Sequence, residues 1–508
     1  MATRTYQFGK HAPTGLVGRR DLGEQVVVGV GAASGIALGF AFNAVPALAG
    51  AGLVLPILIS LAVVFVPYRP KGTSQRRTIY RWWRIKRYHR KALARTGGVW
   101  VSPAFEAGVR ADGTPPDSAL TTPEGLPGMT WVPVTVRGQQ AAVVLQPAAG
   151  CVTATLEVAS PGLGGKETSE QVVALERWGE LLDAFGNSEE HPVKRIQVLA
   201  RQIKSDPYAH RRYLAQRDES AATSGAPQWL RDSYSTLADA VSTSAEEHRY
   251  YITLHAKFTR DLASDSDSRG SGDQGVAAVM AGYLDELWAR CEDADMPVIA
   301  PLDEGRLTAL IRNSYDPDHP LWDTDLPRAH AFPRNIDVRS GEYLAARAAG
   351  STTSWYHATA AVVAWPTTPV GPDFLAPLLI GLPDVIRTMA ITQNLEPTDR
   401  AVERMLAEDT NNRAELLRNQ QRGRTVDPRD LIAANATGAR GMALAQSGAA
   451  GSATVGYITI SARSPEELER TKRTTSSRAR NAHLRIAWLD LEHARAFATT
   501  LPFAGGIK

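Results

Sequence analysis

Two long apolar stretches lie near the start of the chain, with a short break between them. Residues 25–66 contain no charged side chain. Residues 26–43 and 47–66 are long enough as helices, at about 1.5 Å per residue, to cross a hydrocarbon core of roughly 30 Å. Pro46 disfavours helix in the residue before it, so the break falls at residues 43–46. The pattern predicts a transmembrane helical hairpin.

Two other structures could produce an apolar segment near the N-terminus. A cleaved signal peptide is shorter, begins earlier and carries its basic residues before the apolar stretch, whereas here the basic block follows it. A buried helix pair in the core of a soluble protein is the second alternative. We expect the membrane hairpin in preference to both, because each stretch matches the thickness of a bilayer.

A strongly basic block follows the second apolar stretch. Residues 69–95 carry eleven Lys or Arg side chains and no Asp or Glu, while the break between the two stretches is uncharged. Loops rich in Lys and Arg stay on the cytoplasmic side of a membrane. We therefore expect a multi-pass protein of the cytoplasmic (inner) membrane with both termini in the cytoplasm.

Small residues recur at every fourth position of the first apolar stretch. Gly31, Gly35 and Gly39 follow this spacing, which lets the backbones of two membrane helices approach closely. We predict that these three glycines are packing positions, facing either the second span or other membrane subunits.

Aromatic residues are interleaved with the cations of the basic block. Indole and phenol rings favour the interface between lipid and water, and clustered cations attract anionic headgroups. The pattern predicts an interfacial helix bound to anionic lipid. The predicted headgroup-binding residues are Arg76, Arg77, Arg81, Trp82, Trp83, Arg84, Lys86, Arg87, Arg90 and Lys91. Single-stranded nucleic acid is bound by the same residue types, so direct nucleic-acid contact remains an open alternative.

The rest of the chain has the patterning of an α+β protein. Alternation of apolar and polar positions predicts strands, and apolar positions three and four apart predict helices. The predicted strands are 130–136, 140–146, 151–159, 193–202, 250–258, 354–365, 385–393, 455–462 and 484–489. The predicted helices begin near residues 167, 207, 226, 276, 302, 375, 397, 427 and 465, and residues 261–275 are predicted to be a loop.

These patterns divide the chain into a membrane α-helical hairpin followed by one or two cytoplasmic α+β domains. Residues 101–128 are predicted to be a linker, since their second part is rich in Pro, Gly, Thr and Asp. The other segments are a cytoplasmic N-terminal segment (1–24), the hairpin (25–66), a basic juxtamembrane helix (67–100) and two α+β subdomains (129–330 and 331–508).

Signals for catalysis or metal binding are weak throughout the sequence. Cys151 and Cys291 are far apart and lack a CxxC context, so they indicate neither a disulfide framework nor a zinc site. A phosphate-binding loop around Lys166 fails, because Ser160 replaces the required first glycine and Glu167 replaces the Ser or Thr after the lysine. We predict no catalytic, cofactor-binding or metal site and no cofactor, with an enzyme of unrecognised type as a further alternative.

Two parts of the sequence resemble components of conjugation machines. Residues 6–9 (YQFG), Gly15 and residues 18–20 (GRR), followed by the hairpin, resemble the short two-span subunits of Gram-positive conjugation systems, the PrgI/TcpE-like proteins. Residues 355–365 with 374–379 resemble part of the N-terminal domain of the conjugation ATPases of type IV secretion systems.

Two further passages carry the resemblance to those ATPases. Residues 456–462 (GYITISA), followed by 465–468 (PEEL), match its strand and the helix that begins Pro-Glu-Glu-Leu. Residues 496–503 (AFATTLPF) resemble the passage that leads into the motor domain. Proteins that join such a two-span segment to such a domain, without the motor domain, occur in actinobacterial mobile elements.

The resemblance implies a scaffold and not an enzyme. Neither nucleotide-binding motif is present in the sequence, so we expect ATPase activity on a separate chain. The implied function is that of a non-enzymatic inner-membrane scaffold of a type IV-like conjugative transfer or secretion machine, which docks a hexameric ATPase. The implied partners are that ATPase, other membrane subunits and further copies of this chain. The alternative is a membrane-tethered nucleic-acid-binding protein that uses residues 69–95.

Overall fold

The computed structural model describes residues 22–41, 45–70, 77–106, 122–126, 128–160, 162, 166–188, 191–204, 227–230, 232–234, 236–237, 246–366, 370–421, 444, 446, 449–503 and 505. The helix predicted near residue 207, nearly all of that predicted near 427, and Arg76 lie outside the described residues. So do residues 107–121 of the predicted linker.

Two apolar helices of 20 residues open the described chain. Helix α1 is Leu22–Ala41 and helix α2 is Pro46–Phe65, so α2 begins at the proline that marks the predicted break. The two helices pack against each other in antiparallel orientation. Residues 23–41 are long and apolar enough to cross a membrane, whereas the apolar part of α2, residues 50–65, is shorter. By length and composition, therefore, one of the two predicted spans is long and apolar enough to cross a membrane.

A third helix forms within the basic block. Strands β1 (Pro67–Tyr68) and β2 (Arg77–Thr78) pair with each other, which starts helix α3 (Ile79–Thr96) beside the end of α2. The Thr78 side chain caps α3 by accepting a hydrogen bond from the Arg81 N–H. Gly97, in the left-handed region with φ of 64°, ends it. The helix predicted in this block is confirmed.

An antiparallel 13-stranded sheet forms the centre of the remaining described chain. Its strands are β3 (Val99–Val101), β4 (Thr130–Val136), β5 (Gln139–Gln146), β6 (Cys151–Val158), β7 (Val193–Lys204), β8 (Glu246–Lys257), β9 (Val298–Pro301), β10 (Asn335–Asp337), β11 (Leu344–Arg347), β12 (Trp355–Ala364), β13 (Ile386–Glu396), β14 (Gly451–Ala462) and β15 (Arg485–Trp488). The spatial order is β3-β10-β11-β12-β14-β13-β7-β8-β6-β5-β4, with β15 beside β12 and β9 beside β6.

The sheet is continuous across residue 330, where the sequence suggested a boundary. Strand β7 comes from the first predicted subdomain and β13 from the second, and they pair from Arg195↔Asn394 to Gln202↔Arg387. Strand β3, which follows directly on α3, pairs with β10 at one edge of the sheet. The basic helix therefore leads straight into the sheet.

Helices cover both faces of the sheet. They are α4 (Pro103–Glu106), α5 (Thr168–Gly186), α6 (Arg260–Arg269), α7 (Gly272–Asp293), α8 (Glu304–Tyr315), α9 (Ala376–Leu379), α10 (Thr398–Gln421), α11 (Pro465–Asn481) and α12 (His493–Ala498). Side chains alternate along a strand, and in β7 Ile196 and Ala200 belong to one face while Leu199 belongs to the other. Helices α5, α7 and α11 pack on the first face, and α8 and α12 on the second.

A row of polar side chains runs across four neighbouring strands on the second face. Thr359, Thr459, Thr388 and Arg201 lie opposite one another on β12, β14, β13 and β7, and all four are buried. Buried polar groups need hydrogen-bond partners. Here the threonine hydroxyls of β12 and β14 bond each other at 2.7 Å, and the Arg201 Nη1–H donates to the Thr388 hydroxyl at 2.7 Å.

The structure confirms most of the predicted elements and corrects one. The tight turn between β4 and β5 places Arg137 and Gly138 at φ of 48° and 79°, as a two-residue hairpin turn requires. The prediction of a loop at 261–275 is wrong, since α6 and the start of α7 occupy it. The Thr259 side chain caps α6, and burial of Leu262 supplies packing that the Asp- and Ser-rich composition does not reveal.

Candidate membrane-interface site

Two of the three predicted packing glycines lie where α1 and α2 approach closely. A side chain at Gly31 would meet Ser60, and a Cβ at Gly35 would lie 2.5 Å from the Leu53 carbonyl oxygen. The Ser60 hydroxyl is satisfied within its own helix, donating to the Ile57 carbonyl at 2.9 Å. Gly39 lies further along α1 and is half-buried. The helix pair therefore has a seam of small residues.

The outer surface of the helix pair is apolar and exposed. Val30, Phe40, Leu55 and Leu58 are all more than half exposed, Phe40 at 77%. Only 17% of the most apolar window of α1 is buried against other parts of the described chain. A core helix of a soluble protein is mostly buried, whereas an apolar surface of this extent usually marks an interaction site.

The base of the helix pair is joined to α3 by a buried carboxylate. The Glu24 side chain is 1% exposed and accepts a hydrogen bond from the Arg81 Nε–H at 2.8 Å. Next to it, Gly23 faces the Tyr80 hydroxyl so closely that a side chain at position 23 would meet it. The first turn of α3 is thus held against the start of α1.

One side of α3 faces the protein. Trp82 and Ile85 are buried, and the Trp82 indole N–H donates to the Tyr68 carbonyl at 3.0 Å. The sequence placed Trp82 among the headgroup-binding residues. In the structure the ring is directed toward the rest of the chain, since the side chain is only 6% exposed. His89 lies one turn beyond Ile85 on the same side, and burial lowers its pKa.

The opposite side of α3 is cationic and open. The Arg87 guanidinium lies over the Trp83 ring at 5.1 Å, and Tyr80 stacks on the same indole with centroids 6.3 Å apart. Trp83 is 54% exposed. The exposed members of this cationic face are Trp83, Arg84, Lys86, Arg87, Arg90 and Lys91. The structure therefore places five of the ten predicted headgroup-binding residues on one side of the helix, with Lys86 exposed at its margin.

The protein-facing side of α3 is tied to residues 491–495. The Arg77 Nη1–H donates to the Glu492 carboxylate at 3.1 Å, with both side chains largely buried. The Arg495 guanidinium lies over the Tyr88 ring at 4.5 Å. Leu491 itself has a left-handed backbone, with φ of 67°, and its N–H donates to the Gly341 carbonyl at 2.6 Å. We call these contacts the α3 joint.

The three passages that resemble the conjugation ATPases come together in space. Strand β12 pairs with β14, and residues 496–503 cover both on the second face. Phe497 packs on His357 with centroids 5.0 Å apart, and the Thr500 hydroxyl bonds that of Thr459 at 2.8 Å. The Gln197 amide donates to the Thr499 carbonyl at 2.8 Å. The C-terminal segment therefore joins the centre of the sheet to the α3 joint.

Two buried titratable side chains in the sheet, His357 and Arg201, have structural partners. His357 bonds the Ser461 hydroxyl at 2.8 Å and the Tyr315 carbonyl at 3.0 Å, and burial lowers the pKa of this histidine to about 3. Burial likewise lowers the pKa of Arg201 to about 10. Within the described ranges, no three His, Cys, Asp or Glu side chains are arranged to hold a metal ion.

Several residues that build this site carried no sequence signal. Nothing in the sequence distinguishes Glu24, Glu492 or Arg495 from other charged residues. Their partners stand 57 to 415 positions away in sequence. Local patterning cannot report such contacts.

Comparison with known proteins adds no identification. No protein-family model matches the chain, and no curated protein matches it.

Proposed function

We propose that this chain is a membrane-anchored, non-enzymatic scaffold of a type IV-like conjugative transfer or secretion machine. Helices α1 and α2 form its membrane hairpin in the cytoplasmic membrane, with both termini in the cytoplasm. The sheet domain docks a separate hexameric ATPase, and further copies of the chain and other membrane subunits complete the assembly.

The observation that carries this proposal is the exposed apolar surface of a closely packed helix pair. Its seam is made of small residues, Gly31 and Gly35, while large apolar side chains such as Phe40 and Leu55 point outward. Membrane helices pack in this way, since lipid tails solvate large apolar side chains and small residues allow close approach. At about 1.5 Å per residue, each 20-residue helix also reaches roughly 30 Å.

The scaffold role is supported by where the resembling passages lie. Residues 355–365, 456–462 and 496–503 are separated in sequence but form one layer of the sheet and its cover. A shared domain would keep such passages together. In the conjugation ATPases the last of them leads into the motor, so we place the docking surface for a separate motor near the C-terminal segment.

Topology is tested with single cysteines in intact cells. Cys151 and Cys291 are buried, so an impermeant maleimide should react with introduced sites only. Val45→Cys, which is exposed in the break between α1 and α2, is expected to react from outside, whereas Ser268→Cys on α6 is expected to react only after permeabilisation. Reaction of Ser268→Cys in intact cells, or none at Val45→Cys in either condition, would contradict the hairpin.

Docking is tested by purifying the full chain from its native membrane and identifying what accompanies it by mass spectrometry. A separate ATPase and other membrane subunits are the expected partners, compared with an unrelated two-span protein carrying the same tag. The purified chain alone is expected to hydrolyse no ATP. Hydrolysis by the pure chain, or purification without an ATPase, would overturn the scaffold role.

The exposed cations and indole of α3 favour one second candidate, a tethered nucleic-acid-binding protein. Two results would support this candidate. DNA binding would be salt-sensitive, and it would be lost when Arg81, Arg84 and Arg87 are changed to Gln, while lipid binding is retained.

A further inference from the structure

We infer that α3 lies flat on the anionic surface of the membrane, as a layer between the lipid headgroups and the sheet. This inference rests on the proposed anchoring by α1 and α2 and specifies which face of the molecule the lipid contacts. The occupant that we assign to the cationic face is a bilayer surface rich in anionic phospholipid.

The first argument is the angular separation of the two sides of α3. Successive residues of a helix are turned by about 100°, so Trp83, Arg87 and Arg90 share one side at spacings of four and three. Trp82, Ile85 and His89 share the opposite side at spacings of three and four. The α3 joint therefore directs the cationic face away from the sheet.

The second argument is the position of the near end of α3. The Arg81–Glu24 pair and the Tyr80–Gly23 contact hold that end against the first turn of α1, where the apolar surface of the hairpin begins. A membrane around α1 and α2 would have its headgroups at this level. Arg84 and Arg87 then lie within about 10 Å of the headgroups along the helix, which is about one Debye length.

The third argument is the uninterrupted charge of the cationic face. Lys86, Arg87, Arg90 and Lys91 form no ion pair with another described residue, and residues 69–95 contain no acid. The far end is the informative part, because position 94 lies about 20 Å along the axis from Arg81. Cations there reach headgroups only if α3 runs along the membrane surface.

The orientation is measured on the full chain in lipid nanodiscs by quenching of a fluorophore with spin-labelled lipids. Ile79→Cys and Ala94→Cys place the fluorophore at the two ends of the cationic face. Both residues are uncharged, so no charge is removed, and both are exposed, so a label can be attached there. Phe40→Cys places it in the hairpin. Discs of phosphatidylcholine alone are compared with discs containing phosphatidylglycerol.

We expect headgroup quenchers to act equally on positions 79 and 94 in anionic discs, and acyl-chain quenchers to act on position 40 in both kinds of disc. Changing Arg84 and Arg87 to Gln should lower the equilibrium constant for binding of the far end of α3 to the headgroups by more than about tenfold, which would reduce the quenching at position 94. Each cation contributes separately to headgroup attraction. Changing Arg470 and Arg473 on α11, which are also exposed, is the matched control and should have no effect.

Two outcomes would overturn the inference, and a third outcome identifies failure of the anchoring itself. Strong quenching at 79 with none at 94 means that α3 rises away from the membrane. The cationic face would be assigned to nucleic acid by two results together. Quenching at position 94 would be the same in neutral and anionic discs, and oligonucleotide binding would be abolished by Arg84→Gln and Arg87→Gln. Loss of acyl-chain quenching at position 40 means instead that the hairpin is not inserted, which refutes the proposed function.

Discussion

The helix pair α1–α2 and the sheet domain distribute apolar and polar groups in opposite ways. In the helix pair, large apolar side chains such as Phe40 and Leu55 are exposed, and the interior contains Gly31, Gly35 and Ser60. In the sheet domain the apolar residues form buried clusters on both faces. The buried polar row that includes Arg201 and its hydrogen-bonded neighbours lies on the second face.

This difference is what the proposed membrane anchoring predicts for two regions in two different solvents. The sheet domain removes apolar area from water, which stabilises a fold by about 25 cal/mol per Å². The helix pair leaves its apolar area exposed, so water would destabilise it and a lipid environment would not. The two regions meet at α3, whose buried side contacts the sheet domain and whose open side is cationic. The predictions that follow are arranged to separate the two regions.

The largest expected difference is in pH dependence. Burial lowers the pKa of His357 to about 3 and that of His255 to about 4, while unfolded histidine titrates near 6.5. Below pH 6.5 the unfolded chain takes up protons that these folded side chains refuse. The stability present above pH 6.5 is therefore lost as pH falls toward 4, by about 2 kcal/mol per histidine at pH 5.

The measurement is thermal unfolding of the full chain in detergent between pH 7.5 and pH 5, followed by near-ultraviolet circular dichroism for aromatic packing in the sheet domain and by far-ultraviolet circular dichroism for the helices. The helix pair carries one ionisable side chain, Glu24, so its helical signal should persist where the sheet domain has unfolded. His255→Gln should flatten the pH dependence by roughly one histidine's share, whereas His483→Asn at an exposed position should not. A stability that is constant from pH 7.5 to 5 would contradict this account.

The next effect is confined to the helix pair. Gly35→Ala places a Cβ 2.5 Å from the Leu53 carbonyl oxygen, which is backbone and cannot turn aside, so we expect a loss of about 1–3 kcal/mol in helix association. Gly29→Ala is the matched control, because nothing lies within 4 Å of that position. Association is read from the yield of a disulfide between cysteines introduced on α1 and α2. Equal losses for the two variants would refute the seam.

The smallest expected effect is in the α3 joint. Arg77 and Glu492 are both about 15% exposed, which is less open than a surface pair, so a double-mutant cycle should give a coupling of about 1 kcal/mol. Hydrogen exchange of residues 338–343 and of α3 would report it: Glu492→Gln should raise exchange in both. The pair Arg290–Glu286, exposed and 3.9 Å apart, is the control and should show less coupling. Independent effects of Arg77→Gln and Glu492→Gln would mean that the joint does not couple them.

Capping and turn chemistry were readable from the sequence because they act locally. The helix predicted to begin near residue 465 is α11, and there the Ser464 side chain accepts a hydrogen bond from the Glu467 N–H while Pro465 occupies the first helical position. The helix beginning near residue 167 has a capping box between Glu167 and Glu170. The apolar stretch of α1 was equally plain, since its length and lack of charge suffice to identify it.

The strand order of the sheet could not be derived in the same way. Strands β7 and β13 are neighbours although about 190 residues separate Gln202 from Arg387. The partners of the buried polar groups are equally distant: Arg201 is satisfied by Asn313 on α8 and by Thr388 on β13. A threonine in a strand pattern indicates β propensity. The pattern does not show which other side chain its hydroxyl contacts in the folded protein.

By itself the sequence determined the apolar hairpin segment, the basic helix and the α+β alternation, because hydrophobic period, charge and caps are properties of neighbouring residues. Only the tertiary structure decided which side of α3 is open. The sequence listed ten equivalent headgroup residues, and packing buried Trp82, paired Arg77 with Glu492 and Arg81 with Glu24, and left a single cationic face. Burial and pairing depend on contacts between residues that are 14 to 415 positions apart, and those contacts exist only once the chain has folded.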